Sequence, residues 1–417
     1  MIVWRILQLI SKLDCSNPCN IMNILVLTPS VPYPLRYGGA VRIYNLIRQL
    51  NQRHVVHLVT YQIEGDAGDT KGLEPYCQTI TAVPFSVSGK RRQQLLSLLA
   101  TQSFQWRSHY SSAMQTSIDR IVREQRIDLI LVEFSQMAGF RFPQGTLVVL
   151  DEHNVEFEIL ARMAARADNS LRRLYNRIEA DKFRREELSA CRAASLTLVT
   201  STRDEEILRL QLPGLRTAVI TNGVDCAHFA RPVGPRHPET AVFVGAMNYF
   251  PNDDGALFFL REIHGRIRQA RPDFRFEVVG CGPSATLQAQ RAADVAVTGY
   301  VDDVRPYMWN ASVFVVPLRM GGGTRFKVVE AMAAGVPVVS TRLGAEGIPA
   351  EDGRDLLLAD DPEAFAQAVV RVLSEPALAA QLAANGLDFV RRHFDWALIG
   401  ENLNAALATC TTAPSIP

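Results

Sequence analysis

The chain has 417 residues, of which 47% are hydrophobic and 21% charged, and its formal net charge is +1 at pH 7. This length predicts two domains rather than one core. The near-zero charge argues against a nucleic-acid-binding protein, which would carry a basic domain or stripe. The seven cysteines are scattered without a Cys-x-x-Cys pair, which argues against a zinc site or a disulfide framework and is typical of a reducing compartment.

The first 21 residues differ from the rest of the chain. Their apolar run is short and interrupted by Arg5 and Lys12, so it does not suit a membrane span, and residues 15–20 form a poor signal-peptidase site. Met22 directly precedes a clean strand pattern. We therefore expect residues 1–21 to be a non-native extension, and the protein to be cytoplasmic, with any membrane contact peripheral and at the inner face of the plasma membrane.

Short apolar runs alternate with amphipathic helical stretches in both halves of the chain. Such alternation predicts βαβ units around parallel sheets with right-handed crossovers. The predicted strands lie within 23–29, 55–61, 128–134, 146–154, 195–207 and 216–225, and then within 240–248, 274–283, 295–301, 312–318 and 336–341; the helices lie within 38–50, 157–193, 255–270 and 361–376. The predicted fold class is α/β, with two doubly wound Rossmann-like domains.

A segment with three prolines and no apolar period, 225–240, is the best linker in the chain. We predict an N-terminal domain at 22–221, a hinge at 222–239, a C-terminal domain at 240–387 and a terminal segment at 388–417. Ligands bind beyond the carboxyl ends of the strands in such sheets. Two domains that face each other therefore predict a ligand cleft between them.

Two cations, Arg325 and Lys327, follow three glycines at the predicted start of a helix, where the helix dipole disfavours positive charge. The glycines allow close backbone approach, and exposed amides at a helix start form an anion site. Arg325 can fork onto two phosphate oxygens, while Lys327 supplies a point charge. A bound diphosphate would offset both cations.

Glu330 lies one turn beyond Lys327 and can accept hydrogen bonds from sugar hydroxyls, as an acidic residue does for ribose in dinucleotide sites. Gly335 ends the helix and Pro337 prevents its continuation. The alternative is a solvated pair of Lys327 and Glu330 beside a mobile glycine loop. Together, in a strand–loop–helix context, these residues favour the diphosphate site.

The stretch KVVEAMAAGVPVVST (327–341) resembles the donor-site signature of glycosyltransferase family 4, retaining enzymes with the two-domain GT-B fold. The resemblance covers nearly the whole chain after Met22, and the subgroup it suggests is the sugar transferases of bacterial polysaccharide assembly. Further stretches resemble the family's first loop and helix, histidine loop, hinge motif, and the start and middle of its donor domain: 28–50, 151–156, 221–225, 242–260 and 297–318.

The resemblance implies roles for matching residues. His153 matches a histidine that faces the transferred sugar, and Glu330 a glutamate that contacts the nucleotide ribose. Gly38 and Gly39 match a loop that approaches the donor phosphates, while residues 300–301 match a segment whose backbone meets the base. The complete predicted donor-binding set is Gly38, Gly39, Gly245, Tyr300, Val301, Gly322, Gly323, Thr324, Arg325, Lys327 and Glu330.

The implied reaction moves a sugar from a nucleotide-diphosphate sugar to a hydroxyl of a saccharide or lipid-linked acceptor, with the anomeric configuration retained and without a metal or a further cofactor. His153 follows a predicted strand and should lie at its carboxyl end, where contact with the donor sugar is a safer assignment than general-base work. A histidine satisfied by its own loop is the alternative. The last helix, within 386–407, resembles the one that returns to the first domain.

Two departures from the family pattern stand out. Gly322 occupies the position of a second glutamate near the donor sugar, which puts the sugar contacts in doubt. Ala246 and Met247 follow Gly245 where the family commonly has an Arg and a Lys. We expect Arg325 and Lys327 to fill that gap.

Two acidic pairs and one basic stretch have plainer interpretations. Asp253–Asp254 and Asp302–Asp303 are adjacent residues, which suits turns or helix caps better than a magnesium site. The stretch 89–110 combines Lys90, Arg91 and Arg92 with leucines and aromatics, as a surface on anionic lipid would. A core-facing helix with a solvated basic end is the favoured alternative.

Two rival functions remain open: a nucleotide-sugar epimerase on the same fold, and a degenerate partner that binds nucleotide sugar in an assembly complex. An NAD dehydrogenase is disfavoured because no Gly-x-Gly-x-x-Gly follows the first strand and VVGCGP (278–283) lacks the third glycine. The sequence leaves the sugar, nucleotide, acceptor and oligomeric state open.

Overall fold

A computed structural model describes residues 21–35, 37–65, 68–86, 94, 97–98, 100–165, 170–232, 234, 236–320 and 326–411. The chain divides into two compact units. The first comprises the residues up to Val219 together with those from Asn404 onward, and the second is Ile220–Leu403. The predicted extension at 1–21 falls almost entirely outside the described residues and stays a prediction. The functional domain limits and the hinge also stay predictions.

The first unit is built on a seven-stranded sheet in the order β3-β2-β1-β4-β5-β6-β7, with every pair parallel. Apolar side chains of its central strands are fully buried, as expected for a sheet covered on both faces. The strands are β1 Asn23–Thr28, β2 Val55–Ile63, β3 Thr79–Phe85, β4 Leu129–Glu133, β5 Leu147–Glu152, β6 Leu196–Val199 and β7 Thr217–Val219.

Strand β3 was not predicted from the sequence; it is an edge strand that contains Pro84, and Val83 is its one buried residue. An edge position tolerates proline and weakens the apolar pattern. The helices are α1 Gly38–Leu50, α2 Phe104–His109, α3 Ser112–Gln125, α4 Glu156–Ala165, α5 Ser170–Ala193 and α6 Thr202–Gln211, with 3-10 turns at Lys71–Leu73 and Ser135–Gly139. The charged region predicted at 157–193 is therefore two helices.

The second unit holds a six-stranded parallel sheet in the order β10-β9-β8-β11-β12-β13. Its strands are β8 Thr240–Val244, β9 Arg275–Val279, β10 Val295–Val297, β11 Val313–Val316, β12 Val338–Ser340 and β13 Leu357–Leu358. The two-residue β13 was not predicted, because so short a strand carries no pattern. The predicted Rossmann-like α/β architecture is confirmed in each unit.

Short and long helices surround this sheet. They are α7 Cys226–Phe229, α8 Phe250–Phe258, α9 His264–Ala270, α10 Ala285–Gln288, α11 Arg305–Asn310, α12 Phe326–Ala333, α13 Pro362–Ser374, α14 Pro376–His393 and α15 Trp396–Thr411, with a π turn at Phe259–Ile263 and a 3-10 turn at Leu343–Ala345. The end of α15 packs with the first unit, where Asn404 Oδ1 lies 3.0 Å from His54 Nε2.

Candidate functional site

In the second unit, Lys327 reaches from the first turn of α12 to the carboxyl end of β8. Its Nζ donates to Asn252 Oδ1 at 2.6 Å and lies 4.3 Å from the ring centre of Phe243. A Cβ on Gly245 would lie 2.9 Å from this Nζ and 2.8 Å from Asn252 Nδ2. An added Cβ would have to push the ammonium and the amide aside, so glycine at position 245 lets Lys327 lie against the end of β8, where the sequence pattern lacked a cation.

The glycine after β8 also touches the glycine after β9. A Cβ on Gly280, which has φ +142°, would lie 1.9 Å from the carbonyl oxygen of Gly245. Gly245 N donates to Val279 O at 3.0 Å. Gly280, the first glycine of VVGCGP, therefore serves the close approach of two strand ends, which is a structural use distinct from a dinucleotide loop.

Glu330 lies one helical turn after Lys327 on α12 and is partly buried. Burial raises the pKa of its carboxyl group to about 7, and the neighbouring Lys327 opposes this shift. Gly335 follows the helix with φ +65°, so the predicted helix end is confirmed. A ligand that donates hydrogen bonds to the Glu330 carboxylate would compensate its desolvation.

The segment after β10 lies at the same edge of this sheet. The Tyr300 side chain is 76% exposed, while Val301 packs against the core of the unit. Residues 321–325, which include Gly322, Gly323, Thr324 and Arg325, lie outside the described residues. The predicted roles of those four residues stay predictions.

In the first unit, a buried ion pair joins α1 to β5. Arg42 donates from Nε to Asp151 Oδ2 at 2.7 Å and from Nη2 to Oδ1 at 2.6 Å, and both side chains are almost completely buried. Burial alone would raise the pKa of Asp151, but Arg42 outweighs it and holds that pKa below its ordinary value. This two-pronged pair fixes α1 against the sheet.

His153 directly follows β5, at the carboxyl end where it was predicted to lie. Its Nε2 is 2.7 Å from Glu133 Oε2, and its ring stacks on Phe134 with centroids 3.8 Å apart. A Cβ on Gly39 would lie 3.0 Å from Phe134 Cζ. The glycine pair at the start of α1 and the histidine loop, predicted separately, therefore meet through Phe134.

Burial and neighbouring charges decide which side chains of this cluster are ionised. Burial and the nearby Asp151 raise the pKa of Glu133 well above its ordinary value. Burial lowers the pKa of His153 to about 3, against the attraction of Asp151. Near pH 7 the favoured charges are one cation on Arg42 and one anion on Asp151, with Glu133 and His153 neutral.

Carboxylate and imidazole atoms of Glu133, Asp151 and His153 lie within 4.8 Å of one another, which is close enough to hold a metal ion. However, Arg42 engages both oxygens of Asp151, and His153 Nε2 is bonded to Glu133. A divalent cation would have to displace the guanidinium. The arrangement therefore suits an ion pair better than a metal centre.

The adjacent aspartates have local partners. Asp303 accepts from the backbone N of Arg305 at 2.9 Å, and Asp253 accepts from Ser284 N at 3.0 Å. Asp254 pairs with Arg319 at 2.6 Å. The predicted role as a turn or cap residue is confirmed for Asp303, whereas Asp253 lies within α8 and its side chain accepts from a backbone N–H 31 positions away.

Part of the basic stretch 89–110 falls outside the described residues, including Lys90, Arg91 and Arg92. Its described part forms α2, where Trp106 packs edge-on against Phe183 of α5 with ring centroids 6.4 Å apart. Ser103 N donates to Glu186 at 2.8 Å. This part packs on its own unit, as the favoured alternative predicted, and membrane contact stays untested. Among the described residues, no helix has the length and apolarity that crossing a bilayer requires.

No role was predicted from the sequence for Arg42, Glu133, Phe134 or Asn252. A weak signal existed for Glu133, a charged residue that ends the apolar run LILVE. Asn252 sat in a stretch that reads as a turn. Arg42 belongs to an amphipathic helix where an arginine is normally solvent-facing.

Comparison with known families agrees with this geometry. Residues 37–228 match the family described as Glycosyltransferase Family 4, and residues 238–375 match the one described as Glycosyl transferases group 1. Together the two matches span most of the chain. With two Rossmann-like units whose carboxyl edges hold these residues, the protein belongs to the family 4 glycosyltransferases of GT-B fold.

Individual relatives are more distant. Over 391 residues the chain is 22% identical to an uncharacterized 44.6 kDa protein in the cps region of Klebsiella pneumoniae. This match covers 89% of this chain and 96% of that protein. Over 188 residues it is 30% identical to a phosphatidyl-myo-inositol mannosyltransferase of Mycobacterium leprae, which covers 43% of this chain and about half, 49%, of that enzyme.

Solved structures show the same fold. Anabaena HepE in complex with UDP-glucose matches with a TM-score of 0.61 at 19% identity, and the match covers 93% of this chain and 100% of that one. Two parallel-sheet Rossmann-like units and this likeness establish the GT-B fold, which confirms the predicted fold. The protein is a glycosyltransferase.

Proposed function

We propose that the protein is a retaining glycosyltransferase that moves a sugar from a nucleotide-diphosphate sugar to a hydroxyl of a saccharide or lipid-linked acceptor, in the assembly of cell-surface polysaccharide or glycolipid. The proposal includes a cytoplasmic location with peripheral contact at the inner face of the plasma membrane. The observation that carries it is the Lys327 ammonium, which lies against Gly245 at the carboxyl edge of the second unit and one turn before Glu330.

Departure of a nucleotide diphosphate concentrates negative charge on its phosphate oxygens, so catalysis needs positive charge fixed in advance. Asn252 holds the Lys327 ammonium in place by a 2.6 Å hydrogen bond, which reduces the cost of orienting it. Gly245 adds no side chain that would keep phosphate away. Arg325 is the proposed second cation, and Glu330 is the proposed acceptor for ribose hydroxyls.

In the first unit, His153 is the proposed contact to the transferred sugar. Its low pKa keeps the imidazole neutral at pH 7, which suits a hydrogen bond to a hydroxyl better than an ionic role. Gly38 and Gly39 open α1, a helix of 13 residues whose first amides can meet an anion. These amides are the proposed second contact to the donor phosphates.

The comparisons support the substrate classes in this proposal. The complex of HepE with UDP-glucose supports a nucleotide-sugar donor. The relative in the cps region supports polysaccharide assembly, and the phosphatidyl-myo-inositol mannosyltransferase supports a lipid-linked acceptor. The choice between these acceptors is a matter for experiment.

The test begins with thermal unfolding of the purified full-length protein in the presence of UDP-, GDP-, ADP- and dTDP-sugars, without metal and then with magnesium. One nucleotide class should stabilise the protein without metal, by about 2.7 kcal/mol when the ligand is at 100 times its Kd. NMR of the product formed with that donor and a panel of saccharide and lipid acceptors should then show the retained anomeric configuration.

Other outcomes would contradict the proposal in distinct ways. Interconversion of the donor sugar without an acceptor would indicate an epimerase. Tight binding with neither transfer nor hydrolysis across many acceptors would indicate a degenerate partner, an alternative that Gly322 in place of the second glutamate keeps open.

A further inference from the structure

The two nitrogens of the His153 ring have different surroundings. Nε2 lies 2.7 Å from Glu133 Oε2 and 3.5 Å from Asp151 Oδ2. Nδ1 makes no hydrogen bond to any residue in the described part of the chain. The Nδ1 edge is therefore the one that can meet a ligand, and its role as donor or acceptor depends on where the single ring proton of neutral imidazole lies.

The ring is held in one orientation. Phe134 stacks on it at a centroid distance of 3.8 Å and an interplanar angle of 28°. Phe134 itself has φ +67°, a strained conformation that is unusual for an aromatic residue. Its backbone N donates to Asp151 O at 3.0 Å, and its ring packs against Gly39. Surrounding contacts thus keep Phe134 where it supports the histidine ring.

Glu133 is the group that can place the ring proton. Its side chain is fully buried and pairs in register with Asp151 across β4 and β5. Among the residues that the structure describes, Arg42 is the cation in contact with the cluster, and it already uses two nitrogens on the two oxygens of Asp151. A second carboxylate without a cation of its own is costly in such a site, so the neutral carboxylic acid is favoured.

A neutral Glu133 carries one acidic proton and has two neighbours that can receive it. Asp151 is one; each of its oxygens already accepts from Arg42 and keeps a second lone pair for Glu133, whereas an unprotonated His153 Nε2 would otherwise have no donor among the described residues. His153 Nε2 is the other, and it lies at a normal hydrogen-bond distance from Glu133 Oε2. Oε1 of Glu133 has no hydrogen-bond partner in the described structure, so the proton has little reason to lie there.

We propose that Glu133 is a positioning residue that donates its proton to His153 Nε2 and so fixes the imidazole as the Nδ1–H tautomer. The ring then offers an N–H donor, not a lone pair, to a ligand oxygen. If the proposed function holds, on which this last step rests, that oxygen is a hydroxyl of the donor sugar. This assignment excludes His153 as a general base through Nδ1.

The test uses the ligand-free full-length protein labelled with ¹⁵N-histidine. Long-range ¹H–¹⁵N correlation spectra at pH 7 identify the protonated ring nitrogen, and the His153 signals are assigned by their loss in His153→Asn. We expect His153 to be predominantly Nδ1–H in the wild type. In Glu133→Met the acidic proton is gone, and the ring should revert to the Nε2–H form that neutral histidine favours in water.

A matched control is Glu152→Met. Glu152 is equally buried at the end of β5 and also has an unpartnered oxygen, but its hydrogen bond is with Cys191. This change should leave the His153 tautomer as in the wild type. A wild-type spectrum dominated by Nε2–H would overturn the proposal, as would an unchanged tautomer in Glu133→Met or an equal change in the Glu152 control.

The wild-type spectrum decides the matter even if Glu133→Met fails to fold, which its thermal unfolding curve would reveal. Because no donor or acceptor is present, the result does not depend on the proposed reaction. Failure of the nucleotide-sugar binding test would leave the tautomer intact, and a wrong tautomer would leave donor binding untouched.

Discussion

The carboxyl edges of the two sheets use charge in opposite ways. In the first unit, Arg42 and Asp151 form an ion pair with almost no solvent exposure. The pKa shifts of Glu133 and His153 beside them favour the neutral form of each. In the second unit, the Lys327 ammonium lies beside glycine backbone and donates to the amide oxygen of Asn252. The first edge is built to position groups, and the second is suited to bind an anion.

The largest expected effect comes from breaking the buried ion pair of the first unit. Asp151→Asn leaves the buried Arg42 guanidinium without its counter-charge, so we expect a loss of about 3–5 kcal/mol in the free energy of unfolding, measured by urea titration at pH 7. Glu375→Gln breaks the exposed pair with Arg371, where both side chains are at least half exposed, and should cost under about 1 kcal/mol. Equal losses in the two variants would show that burial does not distinguish the pairs.

The second effect concerns ligand binding at the carboxyl edge of the sheet in the second unit. Lys327→Met should weaken the affinity for the nucleotide diphosphate identified in the thermal-shift screen by about 10–100-fold, because a hydrogen bond to a charged group contributes about 1.5–3 kcal/mol. Isothermal titration measures the change. Arg371→Met also removes one positive charge, from the exposed face of α13, and should bind as the wild type does. Equal affinities of Lys327→Met and the wild type would show that the Lys327 ammonium does not contribute to nucleotide binding.

The third effect depends on pH and follows from Glu330. Its pKa in the folded protein is raised to about 7 from 4.5, so the folded state binds the proton more tightly and loses stability as pH rises from about 4.5 to 7. Glu330→Gln should therefore be more stable than the wild type by about 1–3 kcal/mol at pH 8 and nearly equal to it at pH 4. Urea titrations at the two values compare them. A difference independent of pH would mean that the gain has another cause.

The Glu330 carboxyl group should also make nucleotide affinity depend on pH, and in the opposite direction: affinity should rise with pH where stability falls. If ribose is held by the carboxylate form, affinity for the nucleotide should be greatest above pH 7 and fall as Glu330 becomes protonated below it. Titrations of the wild type between pH 5.5 and 8.5 would show this decline. Glu330→Gln should bind more weakly but with less dependence on pH.

The smallest effect tests how closely Lys327 approaches the backbone. Gly245→Ala would place its Cβ 2.8 Å from Asn252 Nδ2 and 2.9 Å from Lys327 Nζ, so the two side chains must move, at a cost of about 1–2 kcal/mol. Gly265 lies in α9 with nothing within 4 Å of an added Cβ. Gly265→Ala should stabilise the protein by up to about 1 kcal/mol. Differential scanning calorimetry compares them, and a stabilised Gly245→Ala would contradict the packing described.

Several features were readable from the sequence because they depend on near neighbours. Apolar runs predicted eleven of the thirteen strands in the described part of the chain. The two exceptions are β3, an edge strand with a proline, and β13, which has only two residues. Gly335 after the helix and His153 after β5 were placed correctly for the same local reason. The order of the family's motifs along the chain indicated the fold and the class of enzyme.

Only the tertiary structure decided which charged groups meet. Arg42 and Asp151 are 109 positions apart, Lys327 and Asn252 are 75 apart, and Glu133 and His153 are 20 apart on neighbouring strands. No local propensity records such pairs, because a side chain's partner across a sheet depends on strand order and register. The sequence determined the elements and the chemistry available at their ends, while the packing of those elements determined which charges are paired, which are neutral, and which can meet a ligand.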